Sequence, residues 1–286
     1  MESKYKGTQV FALPIVAFLL SLLWYFWRKR RLLQREMADL QADDRLLYAS
    51  NTHLPQIALT FDDGPHPYYT PQVLAILQKY GVKATFFCIG QSVAAYPDIV
   101  KEAHAAGHVI ANHSWSHPNM ALFSRSRIVS ELTRTSKVIE QVIGVRPIFF
   151  RPPYGAFSTQ VLKQADCLGL KTVIWNIRAT DWAKPGIDVI ANRILSRSVY
   201  GGIILLHDSG GDRSQTVAAL PDIIVGLQQR GFTFVTLEQM VKHLDTASPS
   251  AKGEQDSPWK DLFMQYCSNP EQVLGVAAKT DSYRHK

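Results

Sequence analysis

The chain is poor in cysteine, with three among 286 residues at positions 88, 167 and 267. An odd number excludes a fully paired disulfide framework. None has a second cysteine or a histidine at metal-ligand spacing, which excludes a cysteine-built zinc site. Cys88, inside the apolar run ATFFCIG, and Cys167, inside a helical pattern, are expected as small core residues, while Cys267 lies in the C-terminal tail. No internal repeat or low-complexity tract appears. Acidic residues are in deficit, 24 against 31 Lys and Arg, for a net charge of +7. That excess does not point to nucleic acid, because a conspicuous part of it, Arg28-Lys29-Arg30-Arg31, directly follows a long apolar run.

That run, VFALPIVAFLLSLLWYFW from Val10 to Trp27, has no charge and carries aromatics at its end, as a membrane span does at the lipid interface. No small-x-small cleavage pattern follows it, so a retained single-pass anchor is expected rather than a removed signal. Five basic residues after the run (Arg28, Lys29, Arg30, Arg31, Arg35) outnumber Lys4 and Lys6 before it, which points the C-terminal side toward the cytoplasm. The expected organisation is a flank (1–9), an anchor (10–27), a basic juxtamembrane linker (28–54), one catalytic domain (55–245) and a flexible Ser-, Pro- and charge-rich tail (246–286).

Within 55–245 short apolar runs alternate with amphipathic stretches. Strands are expected at 56–61, 84–89, 108–112, 147–150, 171–175, 201–206 and 232–236, with helices near 70–80, 92–106, 124–143, 157–168, 186–198, 214–230 and 237–244. Such alternation implies a parallel sheet covered by helices, open or closed as a barrel.

In that architecture the active site collects at the carboxyl ends of strands. Polar groups stand at those ends: Asp62-Asp63 after the first run, NHSWSHP (112–118) after the third, RPPYG (151–155) after the fourth, TDW (180–182) after the fifth and LLHD (205–208) closing the sixth. His113 and His117, four apart, face one way if their segment makes one helical turn. With a carboxylate from a neighbouring strand end they form a two-His, one-Asp donor set with an open position for water, the pattern of catalytic zinc. Two adjacent carboxylates repel, and a cation relieves that: Asp63 as ligand, Asp62 left ionised as base. A plain Asp-Gly-Pro turn is the alternative. His207 with Asp181 as carboxylate partner suits a general acid, and Arg151 suits a guanidinium that orients a carboxylate.

These five segments, TFDDGP, HSWSHP, RPPYG, DW and LLHD, in this order, resemble the NodB-type polysaccharide deacetylases, carbohydrate esterase family 4, over about residues 55–243. The resemblance implies a deformed (β/α) barrel and hydrolysis of N-acetyl groups from N-acetylhexosamine units of a polysaccharide. It implies Asp62 as base, Asp63, His113 and His117 as ligands of a divalent metal (zinc first, cobalt or nickel also compatible), His207 as acid, Asp181 as its tuner and Arg151 as the residue holding the base. The Tyr154 N–H matches the oxyanion donor, and Trp182 and Leu205 match residues walling the acetyl pocket. Arg178 departs from the pattern, standing where many relatives carry an acid. A small-amide or lipid-linked-sugar hydrolase and an inactive glycan-binding module are the rival readings. Anchored relatives face the cell wall, so an extracytoplasmic domain is expected against the local charge bias, long domains being translocated regardless of it. Tyr68, Tyr69, Trp115 and Trp182 near the rim are aromatic enough to stack on sugar rings.

Overall fold

The computed structural model describes Trp24, Arg28, Asp43, residues 45–49 and residues 54–247, with side chains as far as Lys242. The chain divides into two units, Met1–Leu47 and Tyr48–Lys286. In the first, the Arg28 guanidinium lies 5.2 Å from the Trp24 ring centroid. The rest of the expected anchor, most of the linker, the tail beyond Ala247 and Cys267 lie outside the described residues. Among the described residues no helix is long and apolar enough to cross a membrane.

The second unit is built on parallel strands: β1 (Gln56–Asp62), β2 (Thr85–Cys88), β3 (Val109–Asn112), β4 (Phe149–Phe150), β5 (Lys171–Val173), β6 (Ile177–Arg178), β7 (Gly202–His207) and β8 (Thr233–Val235). The spatial order is β5-β4-β3-β2-β1-β7-β6, with β8 pairing the first half of β1. β1 is buried along all but its first residue, as a central parallel strand covered on both faces must be. β5 and β6 stand at opposite ends of the order, yet only Ile174–Asn176 separates them. The sheet therefore curls into a deformed (β/α) half-barrel whose seam this segment bridges.

That seam corrects the sequence expectation of one strand over 171–175. The ladder stops at Val173, and β6 then pairs β7, so TDW follows β6 rather than β5. Asn176 helps the switch by accepting the Ile203 N–H at 2.8 Å, a side chain doing the work of a ladder carbonyl. A two-residue strand is too short for alternation to reveal it.

Helices α1 (Tyr69–Lys79), α2 (Gly90–Ala95), α3 (Pro97–Ala105), α4 (Arg125–Ile143), α5 (Thr159–Cys167), α6 (Ile187–Leu195), α7 (Ser214–Gln229) and α8 (Leu237–Ala247) connect or follow the strands. The single helix expected over 92–106 is two, because Pro97 forces Tyr96 out of helical geometry and then serves as the first residue of α3. α1 buries Thr70, Val73, Leu74 and Leu77, and α4 buries Ile128, Leu132, Thr135, Ser136 and Ile139, each a stripe of helical period. α4 stops at Gly144, whose φ of 74° is the left-handed cap that glycine provides. Cys88 is a core residue as expected, but Cys167 is exposed. The face of α5 that packs inward runs through Val161, Leu162 and Ala165, and Cys167, its last residue, falls off that stripe.

Candidate active site

The parallel register gathers the polar strand ends. Asp62 closes β1 opposite His207, the last residue of β7, and opposite Phe87 on β2. Thr60 and Asp62 share one face of β1, and Arg151 reaches both: its Nη1 donates to Thr60 Oγ1 at 2.8 Å and to Asp62 Oδ1 at 2.6 Å. The guanidinium is fully buried, 4.0 Å from the Phe87 ring centroid and 5.6 Å from that of Trp175. Burial pulls the Arg151 pKa below its ordinary value and the Asp62 carboxylate opposes that pull. The arginine ties the Asp62 carboxylate to the barrel wall.

Neighbouring residues on a regular strand point to opposite faces. Asp63 escapes this because its φ is 76°, left-handed, which turns its carboxylate back toward β3. Its Oδ1 faces His113 Nε2 at 3.4 Å and His117 Nε2 at 3.2 Å, while Asp62 Oδ2 lies 3.8 Å from His113 Nε2. Burial alone would raise the Asp63 pKa; the flanking imidazoles instead hold its carboxyl well below the usual range, so it is an anion at working pH.

The expected helical turn at 113–117 is absent. Ser114 and His117 have left-handed φ values of 65° and 55°, and the loop is held by side chains rather than by helical bonds. Ser114 N–H donates to Asn112 Oδ1, His117 N–H donates to Ser114 Oγ, and Glu131 of α4 accepts the N–H groups of Trp115 and Ser116 and the Ser116 hydroxyl. The imidazoles converge nonetheless, with ring centroids 5.0 Å apart.

The donor set fits a divalent cation. His113 Nδ1 stands 2.7 Å from the Arg151 carbonyl, which only accepts, so Nδ1 carries the proton and Nε2 presents a lone pair in the neutral ring. Asp63 Oδ1 is buried without a hydrogen-bond partner, and it lies with the two histidine donor atoms within 4.8 Å of one another. An orphaned carboxylate oxygen facing two imidazole nitrogens is a donor arrangement that suits a divalent cation.

On the other flank, Asp181 grips His207 twice, accepting its backbone N–H at 2.9 Å and pairing Oδ1 with Nδ1 at 2.9 Å. Thr216 of α7 donates its hydroxyl to Asp181 Oδ2 at 3.0 Å. Burial opposes charge on His207, but the Asp181 carboxylate outweighs it, with help from Asp63 and Asp62, and lifts the pKa to about 9. The folded-state pKa lies above the unfolded value of 6.5, so this group's stabilisation is complete below about pH 6.5 and is lost as pH rises through about 9. In chelator-treated protein we expect urea unfolding to show a loss of about 3 kcal/mol across that window. His207→Gln is expected to flatten the dependence, and an unchanged slope would remove the ion pair from the account.

Leu205, buried, lies two residues before His207 and so on the same face of β7, while Trp182 is exposed in the turn after β6. Tyr154 sits in a left-handed turn at φ 61°, its ring 4.7 Å from that of His117. The hydrogen bonds of that turn come from Gly155 and Ala156, which leaves the Tyr154 N–H unspent on it. Arg178 is exposed at the edge of β6. Of the rim aromatics, Tyr68 is exposed, Tyr69 donates its hydroxyl to Asp212, and Trp115 packs beneath the Arg134 guanidinium and against Gly90.

Two supports were not visible in the sequence. Glu131 gives no local signal, since nothing around it in the sequence sets it apart from Glu140 on the same helix. Asp208 stands beside His207 in LLHD, but its burial depends on β1. Its N–H donates to the Asp62 carbonyl, its Oδ2 accepts the Thr70 hydroxyl, and a Cβ on Gly64 would meet its carboxylate at 2.4 Å. Burial raises its pKa to about 7.

The model of the family described as polysaccharide deacetylase matches residues 49–173. A peptidoglycan-N-acetylglucosamine deacetylase of Bacillus cereus is 41% identical over 189 residues, 65% of this chain and 88% of that protein. A chitooligosaccharide deacetylase of Azorhizobium caulinodans is 40% identical over 195 residues, 63% of this chain and 92% of that protein. A crystal structure of a peptidoglycan N-acetylglucosamine deacetylase superposes with a TM-score of 0.67 at 36% identity, covering 68% of this chain and 92% of that one.

Proposed function

We propose, from the premise that this chain belongs to the polysaccharide deacetylases of carbohydrate esterase family 4, that it removes N-acetyl groups from N-acetylglucosamine residues of a cell-wall or chitin-like polysaccharide and releases acetate. The observation that carries the reading is the meeting of the Arg151-held Asp62 with the Asp63, His113 and His117 donor atoms at one point of the rim, one strand away from His207. The reading extends to residues 10–27 as a membrane anchor that sets the catalytic unit on the extracytoplasmic side.

Asp63, His113 and His117 would hold a divalent cation, zinc for preference given two imidazoles and a carboxylate, with cobalt and nickel acceptable to the same donors. Bound there, the cation supplies Lewis acidity toward an amide carbonyl and toward water. This chain's own residues do the rest. Asp62, fixed by Arg151, takes the proton of the attacking water at Oδ2, the oxygen that Arg151 leaves open. The Tyr154 N–H donates to the oxygen of the tetrahedral intermediate. His207, protonated at neutral pH through Asp181, gives a proton to the departing amine. Leu205 lines the face of β7 that carries His207 and gives the acetyl methyl an apolar wall.

The test is acetate release by the full chain from N-acetylglucosamine oligomers and from purified peptidoglycan. Activity is expected on at least one polymer, abolished by chelator and restored by zinc, cobalt or nickel. Release from small amides alone, or glycan binding with no acetate under any metal, would overturn the reading.

A further inference from the structure

The parallel sheet sorts the connecting turns onto two opposite ends, and their chemistry is sorted with them. The strand-to-helix connections at the active-site end carry Asp63, Asp181, Asp208 and Asp212 beside Arg151, Lys184 and Arg213. The turns that lead back into strands are 80–84, 106–108, 144–148, 168–170, 196–201 and 230–232, together with Leu54-Pro55 before β1. None of these turns contains an Asp or Glu, and they hold Lys83, Arg146, Arg197 and Arg230. Glu102, Glu140 and Asp166 are exposed in the last turns of α3, α4 and α5, where their carbonyls accept the capping N–H groups of Ala106, Gly144 and Gly169. No carboxylate stands within ion-pair distance of any of the four cations among the described residues.

Helix C-termini attract basic side chains, and that effect alone would place some of these charges here. It does not place apolar ones. Leu54, Val145, Ile148, Val199 and Tyr200 are all exposed in the same turns. Backbone bonds knit part of this end together: Gly201 N–H donates to Gln56 O, Thr233 N–H to Pro55 O and Lys171 N–H to Ile148 O. Tyr200 stands edge-on to Phe232 at 5.5 Å. A cleft of about 370 Å³ between the ends of α6 and α7, lined by Val189, Arg193, Leu195, Arg197 and Arg230 among others, opens beside them. Cations that no carboxylate pairs, interleaved with exposed aliphatic and tyrosine side chains, form a surface complementary to an anionic lipid headgroup layer.

We infer that this end of the barrel, opposite the catalytic rim, lies on an anionic membrane surface. The chain runs into the catalytic unit through Leu54-Pro55 at this same end. The inference rests on the membrane reading of residues 10–27 for its proximity to lipid, and tethering raises the effective concentration of the surface at the bilayer. The consequence is a catalytic rim directed away from the membrane, toward polymer.

Three tyrosines report on the two ends within one molecule: Tyr200 is 52% exposed at the basic end, and Tyr68 and Tyr154 are 65% and 68% exposed at the rim. The full chain is mixed with phosphatidylcholine vesicles, with or without phosphatidylglycerol, separated by flotation and subjected to hydroxyl-radical footprinting. Flotation with phosphatidylcholine alone tests the anchor. Footprinting tests the face: oxidation of Tyr200 is expected to fall about fivefold on phosphatidylglycerol vesicles, to recover in high salt, and to be unchanged on phosphatidylcholine, with Tyr68 and Tyr154 constant throughout. A floating chain whose Tyr200 stays fully reactive, or whose rim tyrosines are protected instead, overturns the inference and leaves the anchor standing. A chain that floats on neither vesicle overturns both. Arg146→Glu with Arg197→Glu is expected to abolish Tyr200 protection while acetate release from soluble oligomers persists, which shows that the variant is folded; retained protection overturns the inference.

Discussion

Asp62→Asn is expected to lower acetate release by a factor of about 10² to 10⁴ while zinc affinity stays within a few fold of the parent. The replacement keeps the shape of the side chain and an oxygen for the Arg151 Nη1 that now sits at 2.6 Å, but an amide does not accept the proton of water. Asp63, His113 and His117 are untouched by it, so the cation's donors remain. Asp63→Asn gives the opposite order of loss. It removes the anionic oxygen that faces both imidazole nitrogens, and zinc affinity falls first, with activity recoverable only at high metal. Steady-state acetate release and calorimetric zinc titration on both variants check the pair. Equal zinc loss in the two, or Asp62→Asn activity within tenfold of the parent, would mean that the carboxylates do not divide the work in this way.

Arg151→Met is expected to be the most damaging single change to folding in the site, costing about 3 to 5 kcal/mol. The guanidinium is the largest fully buried side chain and holds both Asp62 and Thr60. Removing it strands the buried Asp62 carboxylate without its counter-charge, which costs more than the pair's net contribution to stability. The double variant Arg151→Met with Asp62→Asn is therefore expected to recover part of the loss, since both buried charges are gone. Urea unfolding of the two variants checks it. A single variant that loses less than about 1 kcal/mol, or a double variant no more stable than the single, would show that the pair is not desolvated as its burial indicates.

Much of this site was legible because parallel α/β chains write their active sites at recurring places. Each of Asp62, His113, Arg151 and His207 stands at or just beyond an apolar run, and the structure brings all four to one rim with Asp181, which follows a strand too short to read. Less legible were features that depend on partners far away in the chain. Glu131 organises the histidine loop from a helix whose one other acid, Glu140, looks the same in sequence, and Asp208 is buried beside Thr70 and Gly64, which come to it from far away in the chain. The helical turn expected at His113–His117 has the right consequence and the wrong geometry: four-residue spacing also closes when Ser114 and His117 adopt left-handed φ. Cys167 shows the same limit in packing, because a helical pattern does not say which of its residues ends the buried stripe.

By itself the sequence determined the alternation of strand and helix, and with it the end of the sheet where the polar motifs stand, since periodicity is local and survives without any fold. It also determined which residue types were available to bind a cation and to move protons. The tertiary structure decided the asymmetry of Asp62 and Asp63. Two identical neighbours acquire different partners because Arg151, 89 residues away, fixes one at the barrel wall. A left-handed backbone swings the other toward His113 and His117. Neither the long-range register nor that φ value leaves a mark in the order of the residues, because both are set by the energy of packing the whole barrel.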